Sequence, residues 1–182
     1  MLKNAQYIYD NIIIADEVQT TKKYCKKAQV GVDLTLKNVY AITTPGVILT
    51  DKSVVSEYAK IEAHPVDMGD WSVHGWRLPR GTYLLELNEG VSIPGDVACY
   101  IIQRSSLNRS GCTVVSSLWD NGYTSADENG VNTITIRLNV DTDKDVIIEQ
   151  NARVVQIIAM STDEAELYNG QFQGGLLKSN LL

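Results

Sequence analysis

LPRGTYLLELNEGVSIPGDVACYIIQ, residues 78–103, decides the fold. Pro79-Arg80-Gly81 is a turn, Thr82 to Leu87 a strand, the stretch from Glu89-Gly90 to Pro94-Gly95 a second turn, and Val97 to Gln103 a second strand. Short strands parted by proline and glycine turns indicate an all-β barrel or jelly roll.

Downstream, Arg104-Ser105-Ser106 opens a short segment that Gly111 closes, the pattern of a brief helix with hydroxyls at its start and a C-terminal glycine. Free backbone N–H groups there, the helix dipole and the Arg104 guanidinium would suit one phosphate; an ordinary Ser cap beside a surface Arg fits the same residues. Thr113-Val114-Val115 then leads to Asp120-Asn121-Gly122-Tyr123, a hairpin turn signal that brings a carboxylate and a tyrosine together. Ser125 to Asn132 is a polar loop, Ile134 to Val140 an alternating strand, and Asp141 to Asp145 a turn before the strand Asn151 to Ile158. Three residues apart on a strand, Arg153 and Gln156 fall on opposite faces and need not share a task.

Upstream, Gln29 to Leu36 alternates apolar and polar residues as a half-buried strand, with Asp33 on its polar face. The four lysines Lys22, Lys23, Lys26 and Lys27 have no aromatic platform beyond Tyr24, so a solvated loop is preferred to a nucleic-acid site. Residues 3–14 fit a short amphipathic helix, or an Ile run that begins a strand. Residues 43–77 hold Pro45-Gly46, His64, His74, Trp71 and Trp76, with no partner at triad or zinc spacing for either histidine; aromatic packing under a long loop or a subunit contact is expected. The glycine- and amide-rich tail from Tyr168 to Ser179 has little to pack and is free to fray.

At 182 residues the chain suits one domain, 1–182. A net charge of −6 argues against nonspecific binding to nucleic acid or to an acidic membrane, so a polyanionic small substrate would need arginines gathered locally, as Arg104 and Arg153 can be. Cys25, Cys99 and Cys112 are odd in number and far apart, which indicates neither a disulfide framework nor a zinc site and fits a reducing compartment. With no leading apolar segment of signal or transmembrane length, a cytoplasmic protein is expected, in a host cell if a virus encodes it.

Arg104-Ser105-Ser106-Leu107 followed by Leu118-Trp119-Asp120-Asn121-Gly122-Tyr123 resembles the second and third motifs of the trimeric dUTPase and dCTP deaminase superfamily. Gly31 before Asp33-Leu34 resembles the first motif, Arg153 with Gln156 the fourth, and the Tyr168 to Gly175 ending the tail of the deaminase branch. The resemblance runs from about 29 to 179; residues 1–28 are an N-terminal extension, 43–77 a variable insert, 168–182 a lid segment, and Ser125 stands where the family usually has glycine. It implies a distorted β-barrel with short helices, a homotrimer whose subunits share sites, and hydrolysis of dUTP to dUMP and pyrophosphate. In that scheme Asp120 is the general base for water attack on the α-phosphorus. Mg²⁺ is bound mainly by triphosphate oxygens, with Asp33 near it. Arg104, Ser105, Ser106 and Gln156 meet the phosphates and Arg153 supports them. Tyr123 packs on the sugar, the arm bearing Val115 and Trp119 reads the base, and Tyr168 and Lys178 belong to the lid. Arg137 occupies the position of the deaminase glutamate, and no glutamate lies between Thr133 and Asp145, which disfavours deamination. A deaminase, mono- or bifunctional, and a non-catalytic nucleotide-binding regulator are the rivals.

Overall fold

An 11-residue strand, Val32–Ile42, organises the sheet because it is covered on both faces: Val32, Leu34 and Leu36 are fully buried on one, and Asp33 and Thr35 are buried on the other. In this computed structural model residues 1–14, 23–115, 117–127, 130–163, 166–170 and 172–175 are described. The first half of the strand pairs antiparallel with Arg153–Ser161 and the second half with Gly81–Leu87, so it bends from one sheet into the next. The polar face that the alternation assigned to solvent is thus buried at Asp33 and Thr35.

The strand order is Cys112–Val114, Thr135–Val140, Gly81–Leu87, Val32–Ile42, Arg153–Ser161, Val97–Gln103, Leu118–Trp119. Its two end strands are consecutive in the chain and are joined only by residues 115–117. A link that short spans roughly 10 Å, so the sheet must curl until its ends nearly meet. The barrel expectation is met by this geometry, with one continuous apolar core inside.

The N-terminus satisfies both readings of its sequence. Asn4 caps the helix Ala5–Asn11 by accepting the Tyr7 N–H at 2.8 Å, and Ile13–Ile14 then pairs with Gly90–Val91. Lys26–Lys27 corrects the loop expectation: it is a strand, paired with Asp33 and Val32.

Residues 43–77 are also not a long loop. Val47–Ile48 pairs with Ser53–Val54, Tyr58–Ile61 lies against Val32–Ile42, and His64–Asp67, Ser72–Leu78 and Val146–Glu149 form a three-stranded sheet. Trp76 is fully buried and its indole N–H donates to the Ile61 carbonyl at 2.7 Å, whereas Trp71 is 60% exposed. Both strands at Gly75 approach so closely that a Cβ there would collide with the Ile148 carbonyl. Among the described residues no helix is long and apolar enough to cross a membrane.

Glu89 is wholly buried, and its carboxylate accepts the Thr35 N–H at 3.0 Å and the Thr35 hydroxyl at 2.7 Å. Burial pushes its pKa up to about 7 from an ordinary 4.5, the Thr35 bonds pulling the other way. The folded state thus keeps a proton that the unfolded chain releases, and stability falls as pH rises through this window, then levels off. Relative to the parent, Glu89→Gln should gain stability between about pH 5 and about pH 8 in urea denaturation at each pH. A difference that does not change with pH would mean that the Glu89 carboxyl holds its proton equally well in both states.

Candidate functional site

Two of the places where polar groups gather hold the residues that the motifs single out. The first is built on Asp33, which is 5% exposed. Its Oδ2 meets Arg153 Nη1 at 3.2 Å and Arg104 Nε at 3.5 Å, and its Oδ1 accepts from Gln156 Nε2 at 3.1 Å. Arg104 also donates to the Arg153 carbonyl at 3.3 Å. Each group arrives by its own route: Arg104 follows the strand Val97–Gln103, while Arg153 and Gln156 lie on the strand paired to Asp33 itself.

Arg153 and Gln156 share this task, contrary to the opposite-face expectation. Arg153 faces Thr35, but Val155 faces Leu34 and Gln156 faces Asp33. Two residues advance on one strand against one on the other, and this bulge turns Arg153 to the face of Gln156. Gly31 makes room beside them, since a Cβ there would stand 2.5 Å from the Ile157 carbonyl oxygen and 2.6 Å from Gln156 Cγ.

Ser105 and Ser106 are exposed at the start of the helix Ser105–Arg109, next to Arg104. Neither serves as the cap, because the capping position is Arg104 and no side chain bonds there. Leu107 anchors the helix by burial, and Gly111, at φ 76°, ends it.

The second place is the Asp120 turn. Tyr123 N–H donates to the Asp120 carbonyl at 3.1 Å with Gly122 at φ 81°, a turn that needs glycine at its third residue. It is not the tip of a two-stranded hairpin, which corrects the sequence reading. Leu118–Trp119 pairs with Tyr100 and Cys99, and beyond the turn Thr124 bridges to Ser92. Ser125 fixes the exit: fully buried, its hydroxyl accepts the Val91 N–H at 3.0 Å and donates to the Asn132 carbonyl at 2.6 Å.

Trp119, Asp120, Tyr123 and Tyr168 line one cleft together with Val55, Ser117, Leu118, Thr135 and Phe172. The rings of Trp119 and Tyr123 are 5.5 Å apart and those of Tyr123 and Tyr168 5.7 Å, edge to face. Burial first, and then Tyr168, pushes the Tyr123 hydroxyl up to about 12, so it stays a donor. The tail packs on the turn: Tyr168 N–H donates to the Asn121 carbonyl at 2.9 Å, and Gln173 Nε2 to the Gly122 carbonyl at 3.0 Å. Leu167 lies so close that a Cβ on Gly122 would stand 2.9 Å from its Cβ.

Val115 stands outside the cleft lining, its N–H held by the Arg137 carbonyl at 3.2 Å, and Lys178 lies outside the described residues. Val55 and Thr135 were missed because lone apolar or hydroxyl residues carry no local signal, whereas Phe172 belongs to the tail that the resemblance marks as a lid. Among the described residues no three His, Cys, Asp or Glu side chains converge as a metal site. Both oxygens of Asp33 already accept from side-chain donors, so this carboxylate has little left for a cation of its own.

Residues 4–162 match a family described as dCTP deaminase-like. A probable deoxyuridine 5'-triphosphate nucleotidohydrolase of Halobacterium salinarum is 31% identical over 144 residues, 79% of this chain and 80% of that protein. One so described from Methanosarcina mazei is 33% identical over 146 residues, 79% of this chain and 78% of that protein. Among solved structures, a dUTPase from Streptococcus mutans aligns with a TM-score of 0.48 at 17% identity, over 80% of this chain and 88% of that one.

Asp33→Asn keeps the shape but removes the charge that two guanidinium groups share. It should lower stability by ~1–3 kcal/mol, seen as a lower urea midpoint at unchanged slope. An unchanged midpoint would mean that the arginines hold their places without Asp33.

Proposed function

We propose that this chain, which belongs to the dCTP deaminase-like family, hydrolyses dUTP to dUMP and pyrophosphate. The observation that carries this reading is the pairing of a cationic cluster on Asp33 with an aromatic cleft whose rim bears one exposed carboxylate, Asp120. Arg104, Gln156, Ser105 and Ser106 bind the phosphates and offset the charge that develops on them, and Arg153 holds Arg104 in place. Trp119, Tyr123 and Tyr168 enclose base and sugar, with Tyr123 packed where a 2′-hydroxyl would need space. Asp120 takes the proton of the attacking water as general base.

A magnesium ion, when bound, neutralises charge on the triphosphate, whose oxygens supply most of its ligands. Asp33 would serve the triphosphate indirectly, by holding Arg104, Arg153 and Gln156 in place.

The reading fits more than one copy of the chain. Trp119 pairs with Cys99, and the Asp120 turn lies toward the Val97 end of that strand, whereas Arg104 follows its other end. At about 3.3 Å per residue Trp119 is therefore roughly 16 Å along the strand from Arg104, and Asp120 lies beyond Trp119. That spacing favours a site in which one copy supplies the Asp120 cleft and another the Asp33 cluster. A homotrimer satisfies this by symmetry.

Deamination lacks its proton carrier. Arg137 is exposed on Thr135–Val140, and a guanidinium cannot act as a base. Glu86, on the neighbouring strand, is occupied by Lys37, Asn38, Tyr40 and Thr133. Burial raises its pKa, but the hydrogen bonds from Asn38, Lys37 and Thr133 and the Lys37 charge outweigh that and hold the carboxyl below its ordinary range.

With Mg²⁺ present, the purified chain should release pyrophosphate from dUTP and no ammonia from dCTP. Asp120→Asn should cut turnover by ~10²–10⁴-fold while nucleotide binding persists. Ammonia from dCTP would restore the deaminase reading, and neither product would leave a nucleotide-binding protein. Sedimentation should give a trimer.

A further inference from the structure

Lys26 stands opposite Asp33 in the antiparallel pair formed by Lys26–Lys27 and Val32–Ile42, and Gln156 stands opposite Asp33 on its other side. Directly opposed residues carry their side chains on one face, with Cβ atoms about 4.5–5.5 Å apart. Gln156, Asp33 and Lys26 therefore make one row across three strands, on the face where Arg104 and Arg153 meet. Lys27 turns to the other face, where its Nζ donates to Gln6 at 2.6 Å and sits 5.2 Å from the centre of the Tyr9 ring. Lys26, by contrast, is exposed, and among the described residues no ion pair engages it.

Charge balance gives that position a use. The Asp33 carboxylate offsets one of its two guanidinium partners, which leaves the cluster with a small positive surplus for a strongly anionic ligand. A magnesium triphosphate is still an anion, and its outer phosphates are the part that a long, flexible side chain can follow. We propose that Lys26 is a further triphosphate-binding residue, which reaches the terminal phosphates beside Arg104 and Gln156 and thereby favours the triphosphate over dUMP. This assignment rests on the dUTP reading given above.

The test compares the full chain with Lys26→Gln, Lys26→Arg and Lys27→Gln. Steady-state constants for dUTP are measured together with the Kd of dUMP and of a dUTP analogue whose α- and β-phosphates are joined by nitrogen. Lys26→Gln should raise the KM for dUTP and the Kd of the analogue by ~10-fold, with kcat and the Kd of dUMP within about twofold. Lys26→Arg should restore most of the loss, and Lys27→Gln, on the opposite face, should leave these constants at the parent values. Parent-like binding in Lys26→Gln overturns the assignment. So does an equal loss in Lys27→Gln, which would mean a general field effect. A parent chain that binds neither dUTP nor the analogue takes down the dUTP reading itself, and the assignment with it.

Discussion

A buried carboxylate cannot stand alone, and Asp33 is the group around which the polar half of this molecule is arranged. Taken out of water, it needs cations or donors on both oxygens. Arg104, Arg153 and Gln156 supply them from three points in the chain. The dependence is mutual, since two guanidinium groups held next to one another repel unless an anion lies between them. Strand order is consistent with the same need: with Arg153–Ser161 beside Val32–Ile42 and Val97–Gln103 beside Arg153–Ser161, all three partners reach one carboxylate.

Closure of the sheet separates the aromatic half from the cationic half. Residues 115–117 connect the two ends of the sheet, and this connection sets Leu118–Trp119 antiparallel to the strand that carries Arg104 at its far end. The Asp120 turn is thereby held away from Asp33 in its own chain. A single copy therefore carries the aromatic cleft and the cationic cluster at separate places, and the proposed function has them meet two parts of one ligand in an assembly. The tail reinforces the division, because Tyr168 and Gln173 bond to the Asp120 turn of the same chain, Gly174 bonds to Thr124 just beyond it, and Tyr168 and Phe172 line the aromatic half.

The other buried charges also have local tasks. Glu86 gathers Lys37, Asn38, Tyr40 and Thr133, and so fastens three stretches of chain to one another. Glu89 binds the loop after Gly81–Leu87 to the middle of Val32–Ile42 with no cation among its hydrogen-bond partners. Ser125 clamps the exit of the turn where the resemblance led one to look for glycine. A hydroxyl at that place satisfies backbone groups that glycine would leave to other partners.

By itself the sequence determined the element types where the pattern is local, though not in residues 43–77 or at Lys26–Lys27. Alternating apolar residues and turn chemistry depend only on near neighbours, so the strand Val97–Gln103, the helix after Arg104 and the Asp120 turn were legible, as were the motif residues Asp33, Arg104, Asp120, Tyr123 and Gln156. What the tertiary structure alone decided was which of these meet. Strand periodicity sends Arg153 and Gln156 to opposite faces, but a bulge, which has no signature in the apolar pattern, brings them to one carboxylate. Asp33 reads as a surface residue until the strands on either side cover it, and Val55 and Thr135 have no meaning until the sheet curls. Periodicity reports the direction of a side chain relative to its own strand, whereas burial and encounter depend on the strands that pack beside it.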